Sequence, residues 1–130
     1  MFEGRELDHI GVQVTDSEAD AKFYMEKLGF TLKGKFKSSH GDYYTWFVTN
    51  GQITYEIYQS ANIPEDAKGK VNHVALNSTD IEADYKYCVE NGYTICTNGI
   101  EDIPSRWEHG CRYFKVVSPT GEQIEFNQNL

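Results

Sequence analysis

Apolar and polar positions along the chain follow a strand, helix, strand rhythm that runs twice. Leu7 to Val14 alternates, with Ile10, Val12 and Val14 on one face and His9, Gly11 and Gln13 on the other, the period of two expected of a half-buried strand. Thr15-Asp16-Ser17 then supplies N-cap chemistry and acidic charge for a helix expected from about Ser17 to Leu28, with Phe23 and Leu28 in its buried stripe and Gly29 as its stop. Three strands follow, the last two joined by a tight turn at Asn50-Gly51. Aligning His9 with His73, an offset of 64, lays Leu7–Val14 over Val71–Ser78, Asp16 over Asp80 and Asp20 over Asp84. After a slip of one residue, Gly29-Phe30-Thr31 falls on Gly92-Tyr93-Thr94.

The second copy repeats the first in kind. Ser78-Thr79-Asp80 caps a helix expected from about Ile81 to Glu90, Asn91-Gly92 stops it, and Phe114 through Phe126 matches Phe47 through Ile57. Thr120-Gly121 marks its last tight turn. For Glu56 and Glu125 the offset has grown to 69, so about five extra residues are expected in Ile100 to Gly110. Ala61 to Lys70 breaks the apolar period and reads as the linker. Detecting the repeat decides the fold reading: one α+β domain over residues 1–130, built from two βαβββ modules at approximately 5–60 and 71–130.

Composition narrows the function. In 130 residues, 12 Lys and Arg stand against 20 Asp and Glu, a formal net charge of -8. An acidic chain with no basic cluster excludes nucleic acid, whose binding rests on counterion release to a cationic surface. No apolar run approaches the roughly 18 residues of a membrane span, and the opening Met1-Phe2-Glu3-Gly4-Arg5-Glu6 lacks the basic start and apolar middle of a signal peptide. Cys88, Cys96 and Cys111 have no CxxC spacing and read as reduced thiols, which fits a cytoplasmic protein. Nine Tyr, seven Phe and two Trp form an aromatic excess in a folded, globular composition.

The polar strand faces carry the candidate chemistry. In the last strand of the first copy, Ile53, Tyr55 and Ile57 oppose Gln52, Thr54, Glu56 and Tyr58. In the second, Ile124 and Phe126 oppose Gln123, Glu125 and Asn127. The apolar faces must turn toward the helices, which leaves Glu56, Glu125, His9 and His73 on the concave side. Two imidazoles and two carboxylates suit a divalent borderline metal. Without an ion, two buried carboxylates close together would repel each other and lose hydration as well. His40 and His109 sit in expected loops and read as solvent-facing.

The pattern Leu7-Asp8-His9-Ile10-Gly11-Val12, Phe23-Tyr24, Leu28-Gly29-Phe30, Glu56, His73 and the closing Ser118-Pro119-Thr120-Gly121-Glu122-Gln123-Ile124-Glu125-Phe126 resembles the vicinal oxygen chelate superfamily. The resemblance covers essentially the whole chain. It implies a curved, cup-shaped mixed sheet with helices outside, closed around one divalent ion: Zn or Ni first, with Co, Mn or Fe as alternatives. The order His9, Glu56, His73, Glu125 is similar to glyoxalase I. It implies a lyase or isomerase that moves a proton on a small carbonyl or hemithioacetal substrate through a metal-chelated enediolate, with Glu125 or Glu56 as the base. Small members of the superfamily commonly form homodimers, which is the expectation here.

Substrate residues are less determined. Glyoxalase I holds glutathione through an Arg and an Asn at positions that are Gln13 and Ser60 in this chain. Losing one charge-assisted contact removes about 1.5–3 kcal/mol unless another cation replaces it, and Arg106 and Arg112 are the candidates. Gln13, Trp46, Arg106, Trp107 and Arg112 make up the expected substrate-binding set, with one of the alternating pairs Tyr44/Trp46 and Thr45/Phe47 lining the cup. Two other readings remain: a methylmalonyl-CoA epimerase-like isomerase using the same metal and base, and a non-catalytic drug-binding protein of the same fold. Epimerases of this type usually carry Gln at the place of Glu56, and the drug-binding members generally lack the ligands.

Overall fold

The computed structural model describes residues 1–67, 71–119 and 121–130. Residues 68–70 of the expected linker and Thr120 of the second expected turn lie outside the described residues. The chain divides into two compact units, His9–Asn72 and His73–Leu130, and Met1–Asp8 belongs with the second.

The first unit contains most of β1 (Leu7–Val14), then α1 (Ser17–Lys22), β2 (Thr31–Lys37), β3 (Tyr44–Thr49) and β4 (Thr54–Gln59), with strand order β2-β3-β4-β1. The second contains β5 (Val71–Asn77), α2 (Ile81–Glu90), β6 (Glu101–Ile103), β7 (Cys111–Val117) and β8 (Gln123–Asn129), ordered β6-β7-β8-β5. In each the first strand pairs parallel with the last and the remaining pairs are antiparallel. The class is α+β, and each unit has the βαβββ order expected of its copy.

Equivalent local chemistry starts both helices. The Asp16 carboxylate accepts the Ala19 N–H at 3.1 Å and the Asp80 carboxylate accepts the Ala83 N–H at 3.0 Å, caps that each stabilise by about 1 kcal/mol. Gly29 and Gly92 follow the two helical segments at φ 75°, a backbone region that glycine enters without steric cost. The first helix departs from expectation. It is α-helical only to Lys22 and continues as a wider π-helix over Phe23–Lys27.

An α-helix advances about 100° per residue, which would stack Leu28 on the Ala21 stripe. The π segment advances less per residue, so Leu28 falls behind the stripe. Phe23, two residues after Ala21, points to the opposite side. Both are 53% exposed, while Tyr24 and Met25 pack on the core of Ala21, Trp46, Val48 and Ile57. In the second unit the core is Ile81, Cys88, Phe114, Val116 and Phe126.

Strand register refines the repeat. Trp46 pairs with Ile57 and Phe114 with Phe126, so Trp46 rather than Phe47 is the counterpart of Phe114. The second unit's extra residues fall before β6, where Ile95 bridges Val116, in the 104–110 loop, and, for one of them, between Phe114 and Phe126. Ile100 to Gly110 therefore accounts for only part of them. The turn at Asn50-Gly51 is a four-residue loop in which Asn50 Oδ1 accepts the N–H groups of Gln52 and Ile53 at 2.9 and 2.8 Å.

The chain's first residues complete the second core. Phe2 packs on Phe126 with ring centroids 4.7 Å apart, and edge-on to Tyr87 at 5.4 Å. Arg5 grips Asp84 with both amino groups, at 2.6 and 2.8 Å, and donates to the Asn77 carbonyl at 3.1 Å. Asp84 is 2% exposed. Burial alone would raise its pKa, but hydrogen bonds from Arg5 and Ser78 hold it below the usual value.

Arg5→Ala should cost about 3–5 kcal/mol in chemical denaturation, because it leaves an uncompensated buried carboxylate. A depressed carboxylate stabilises above its ordinary pKa and stops doing so as pH falls through the folded value. Wild type should therefore lose more stability than Arg5→Ala on acidification below about pH 4. Among the free cysteines, burial and then the Asp84 charge raise the Cys88 thiol to about 11, while Cys96 is exposed. Alkylation at pH 8 should modify Cys96 first and leave Cys88 intact until the chain unfolds.

Candidate metal centre

Each unit builds an imidazole-carboxylate pair in the same way. In the first, parallel pairing sets Gly11 opposite Glu56, and His9 lies two residues earlier on the same face of β1. His9 Nε2 is 3.4 Å from Glu56 Oε1. In the second, Ala75 stands opposite Glu125, and His73 Nε2 is 3.6 Å from Glu125 Oε1. All four residues are buried, at 3% and 8% exposure for His9 and Glu56 and 3% and 6% for His73 and Glu125. The residue directly across from each carboxylate is thus glycine or alanine, too small to cover it.

The separations suit shared coordination better than a direct contact. A good N–H···O hydrogen bond spans about 2.7–3.2 Å. Two donors each about 2.0–2.2 Å from one ion, at the angles of tetrahedral or octahedral geometry, stand about 3–3.5 Å apart. Mixed N and O donors of this kind suit a borderline divalent cation. Within the second unit, His73 and Glu125 are both buried and each carries an atom of a type that ligates such an ion.

The neighbours of the two carboxylates differ. Opposite Glu56 in the antiparallel register is Phe47, 2% exposed and edge-on to the His9 ring at 5.5 Å and 86°. Opposite Glu125 is Lys115, half-buried. Neither Phe47 nor Lys115 stands out in the sequence on its own. Counting cross-strand partners from the two glutamates, once the turn lengths are known, is the signal that finds them.

The expected substrate set does not assemble around one pair. Gln13 shares the face of His9, half-buried opposite Tyr58. Trp46 lies on the other face, in the core with Ala21, Val48 and Ile57, and the Lys35 ammonium sits 4.3 Å from its ring centroid. The Tyr44/Trp46 pair is therefore the one turned toward the helix, and Phe47 turns toward Glu56. Arg112 shares the helix-side face of Phe114 and Val116, where it donates to Glu82 at 3.1 Å and Asp102 at 2.9 Å. Its hydrogen bonds with Glu82 and then Asp102 raise its pKa. These contacts commit Arg112 to the helix side rather than to the face of Glu125.

Arg106 and Trp107 are half-buried in the 104–110 loop, with the Arg106 N–H donated to the Ile103 carbonyl at 3.2 Å and Trp107 at φ 57°. Gly110, which ends this loop, is at φ 88°, and a Cβ there would meet the Pro104 Cα at 3.0 Å. His40 and His109 are exposed, as expected of loop residues.

Comparison with known proteins adds the family. The model of the Glyoxalase/Bleomycin resistance protein/Dioxygenase superfamily matches residues 6–126. The uncharacterized protein YwbC of Bacillus subtilis (strain 168) is 32% identical over 127 residues, covering 95% of this chain and 98% of that protein. Among solved structures, a hypothetical protein from Bacillus halodurans C-125 superposes with TM-score 0.78 at 23% identity, over 98% of this chain and 96% of the other. A methylmalonyl-CoA epimerase from Mycobacterium tuberculosis gives 0.76 at 15% identity, over 96% and 88%. At these identities the two structures establish the fold alone.

Removing a ligand should be more damaging than removing a group that merely orients one, which typically costs 10–100-fold in affinity. His9→Ala and His73→Ala are each expected to weaken Zn or Ni binding at least 100-fold, as measured by metal analysis after dialysis, with the far-UV spectrum unchanged.

Proposed function

The chain belongs to the Glyoxalase/Bleomycin resistance protein/Dioxygenase superfamily, and from that footing we propose that it is a divalent-metal-dependent enzyme of the glyoxalase I type. In this reading His9, Glu56, His73 and Glu125 together hold one ion, with Zn or Ni first among the candidates. It acts as a lyase or isomerase on a small carbonyl or hemithioacetal substrate. The observation that carries the proposal is the same buried imidazole-carboxylate pair, at 3.4 and 3.6 Å, in both units.

When bound, the ion supplies a Lewis acid where negative charge develops on adjacent substrate oxygens. The chain's own residues move the proton. A carboxylate at Glu125 or Glu56 removes it from the carbon next to the carbonyl and delivers it to the neighbouring carbon. Imidazoles at His9 and His73 remain fixed donors, and the Phe47 ring beside Glu56 keeps water from that carboxylate, which strengthens its interactions. General acid-base catalysis of this kind contributes about 10²–10⁴-fold.

A second reading, epimerisation of an acyl thioester, uses the same residues. It is favoured by Gln13 and Ser60, which stand where the resemblance to glyoxalase I would have glutathione-holding Arg and Asn. The two readings part on substrate. Hemithioacetals of methylglyoxal with several thiols should be turned over under the first, and an acyl-CoA should exchange its α-proton with D₂O under the second.

No helix among the described residues is long and apolar enough to cross a membrane. The proposal places the protein in the cytoplasm as a homodimer, which sedimentation at working concentration would check.

The decisive test is metal analysis of the purified protein followed by these two assays. About one divalent ion per site is expected, and Glu125→Gln or Glu56→Gln should lower turnover at least 100-fold. Full turnover by metal-free protein would overturn the proposal.

A further inference from the structure

We propose that Lys115 selects a substrate that carries an anionic group, a carboxylate or a phosphate, beside the carbonyl oxygens that the metal centre takes. The inference rests on the reading of Glu125 as a metal ligand and adds a recognition residue to it.

The argument starts from strand register. Lys115 and Glu125 are direct cross-strand partners in the antiparallel β7-β8 pair, and such partners project from the same face of a sheet. That face also holds His73 and Asn77 on β5, Tyr113 on β7 and Asn127 on β8, by the alternation of each strand. At the edge it holds Glu101, which pairs with Tyr113 and accepts the Asn98 N–H at 3.3 Å. Among the described residues of this unit, the side chains on that face that carry a fixed charge are Glu101, Glu125 and one cation, Lys115.

Lys115 is half-buried, yet its ammonium makes no hydrogen bond, ion pair or ring contact among the described residues. The backbone is engaged, with the Lys115 N–H donated to Thr97 Oγ1 at 3.0 Å and the Lys115 carbonyl accepting the Cys96 N–H at 2.9 Å. Three other cations of the chain have evident partners. Arg5 grips Asp84, Arg112 is held by Glu82 and Asp102, and Lys35 lies against two aromatic rings. With its stem packed on the sheet and no partner on its own unit, this ammonium is available to an anion that reaches the face of Glu125.

The repeat sharpens the point. The equivalent position in the first unit, opposite Glu56, is Phe47, 2% exposed. A phenylalanine there satisfies the packing of the same strand pair, so the fold does not require a cation at this position. With Arg112 committed to the helix side, Lys115 takes the anion-holding role that an arginine would otherwise fill.

The test compares small chelating anions with and without the extra charge. Isothermal titration of Zn- or Ni-loaded protein is run with 2-phosphoglycolate, malonate and glycolate, on wild type, Lys115→Met and Lys115→Arg. Wild type should bind at least one of the two more highly charged ligands ten times or more tightly than glycolate, and whether phosphate or carboxylate wins identifies the anionic group. Lys115→Met should lose that preference while keeping its glycolate affinity, metal content and Tm, and Lys115→Arg should keep most of it. Equal loss of all three ligands together with metal would make Lys115 a support for Glu125 and overturn the proposal, as would an unchanged preference in Lys115→Met.

If wild type holds no metal, the proposed function fails on that measurement alone. The role of Lys115 is then read in metal-free protein as a rise in Tm with inorganic phosphate. Loss of that rise in Lys115→Met supports the proposal, and its persistence or absence from wild type overturns it.

Discussion

A carboxylate placed on the interior of a sheet must find compensation, and that requirement organises both units. A buried, uncompensated charge costs several kcal/mol, about as much as a domain of this size has to lose. The chain meets this twice in the same manner, by setting a histidine two residues ahead of a glycine or alanine on a parallel neighbouring strand. Parallel pairing makes the arrangement diagonal, so that imidazole and carboxylate converge past a residue with little or no side chain. The polar faces of β1 and β5 are therefore as constrained in size as the apolar faces are in hydrophobicity.

Around this constant feature the two units diverge in how they finish their cores. The first presses Tyr24 and Met25 inward by widening the end of its helix, and leaves Phe23 and Leu28 outside. The second has a regular ten-residue helix and closes its core with Phe2 from the other end of the sequence. Its buried Asp84 is the counterpart of Asp20, which is only half-buried. The difference lies in Arg5, which makes deep burial of that carboxylate tolerable. Repeat symmetry thus holds for caps, registers and ligands, and fails where each unit must close its own edge.

Much of this was legible in the sequence because it is local or repeated. Alternation located β1, and capping aspartates with stop glycines located both helices to within a residue at their starts. The repeat singled out His9, His73, Glu56 and Glu125. What escaped was decided by geometry that residue types do not encode. The π segment depends on which of Phe23, Tyr24 and Met25 wins the core. Arg112 was an attractive anion binder until its partners Glu82 and Asp102, from a helix and a neighbouring strand, were placed beside it. Trp46 and Phe47 could not be assigned to faces while the turn length was unknown, since a shift of one residue exchanges every side chain. Lys115 was invisible for the same reason, because its significance lies wholly in being opposite Glu125.

The clasp of Arg5 on Asp84 also sets a schedule. These partners are separated by 79 positions, and synthesis at about 5–20 residues per second puts about 4–16 seconds between their appearances. Through that interval the first eight residues have emerged but their unit does not yet exist. Two similar halves invite folding one after the other. Here the second half cannot be finished from its own sequence, and the first cannot be released with its own beginning attached. The repeat is therefore not a division of labour in folding, since Met1–Asp8 must wait for a unit made after them.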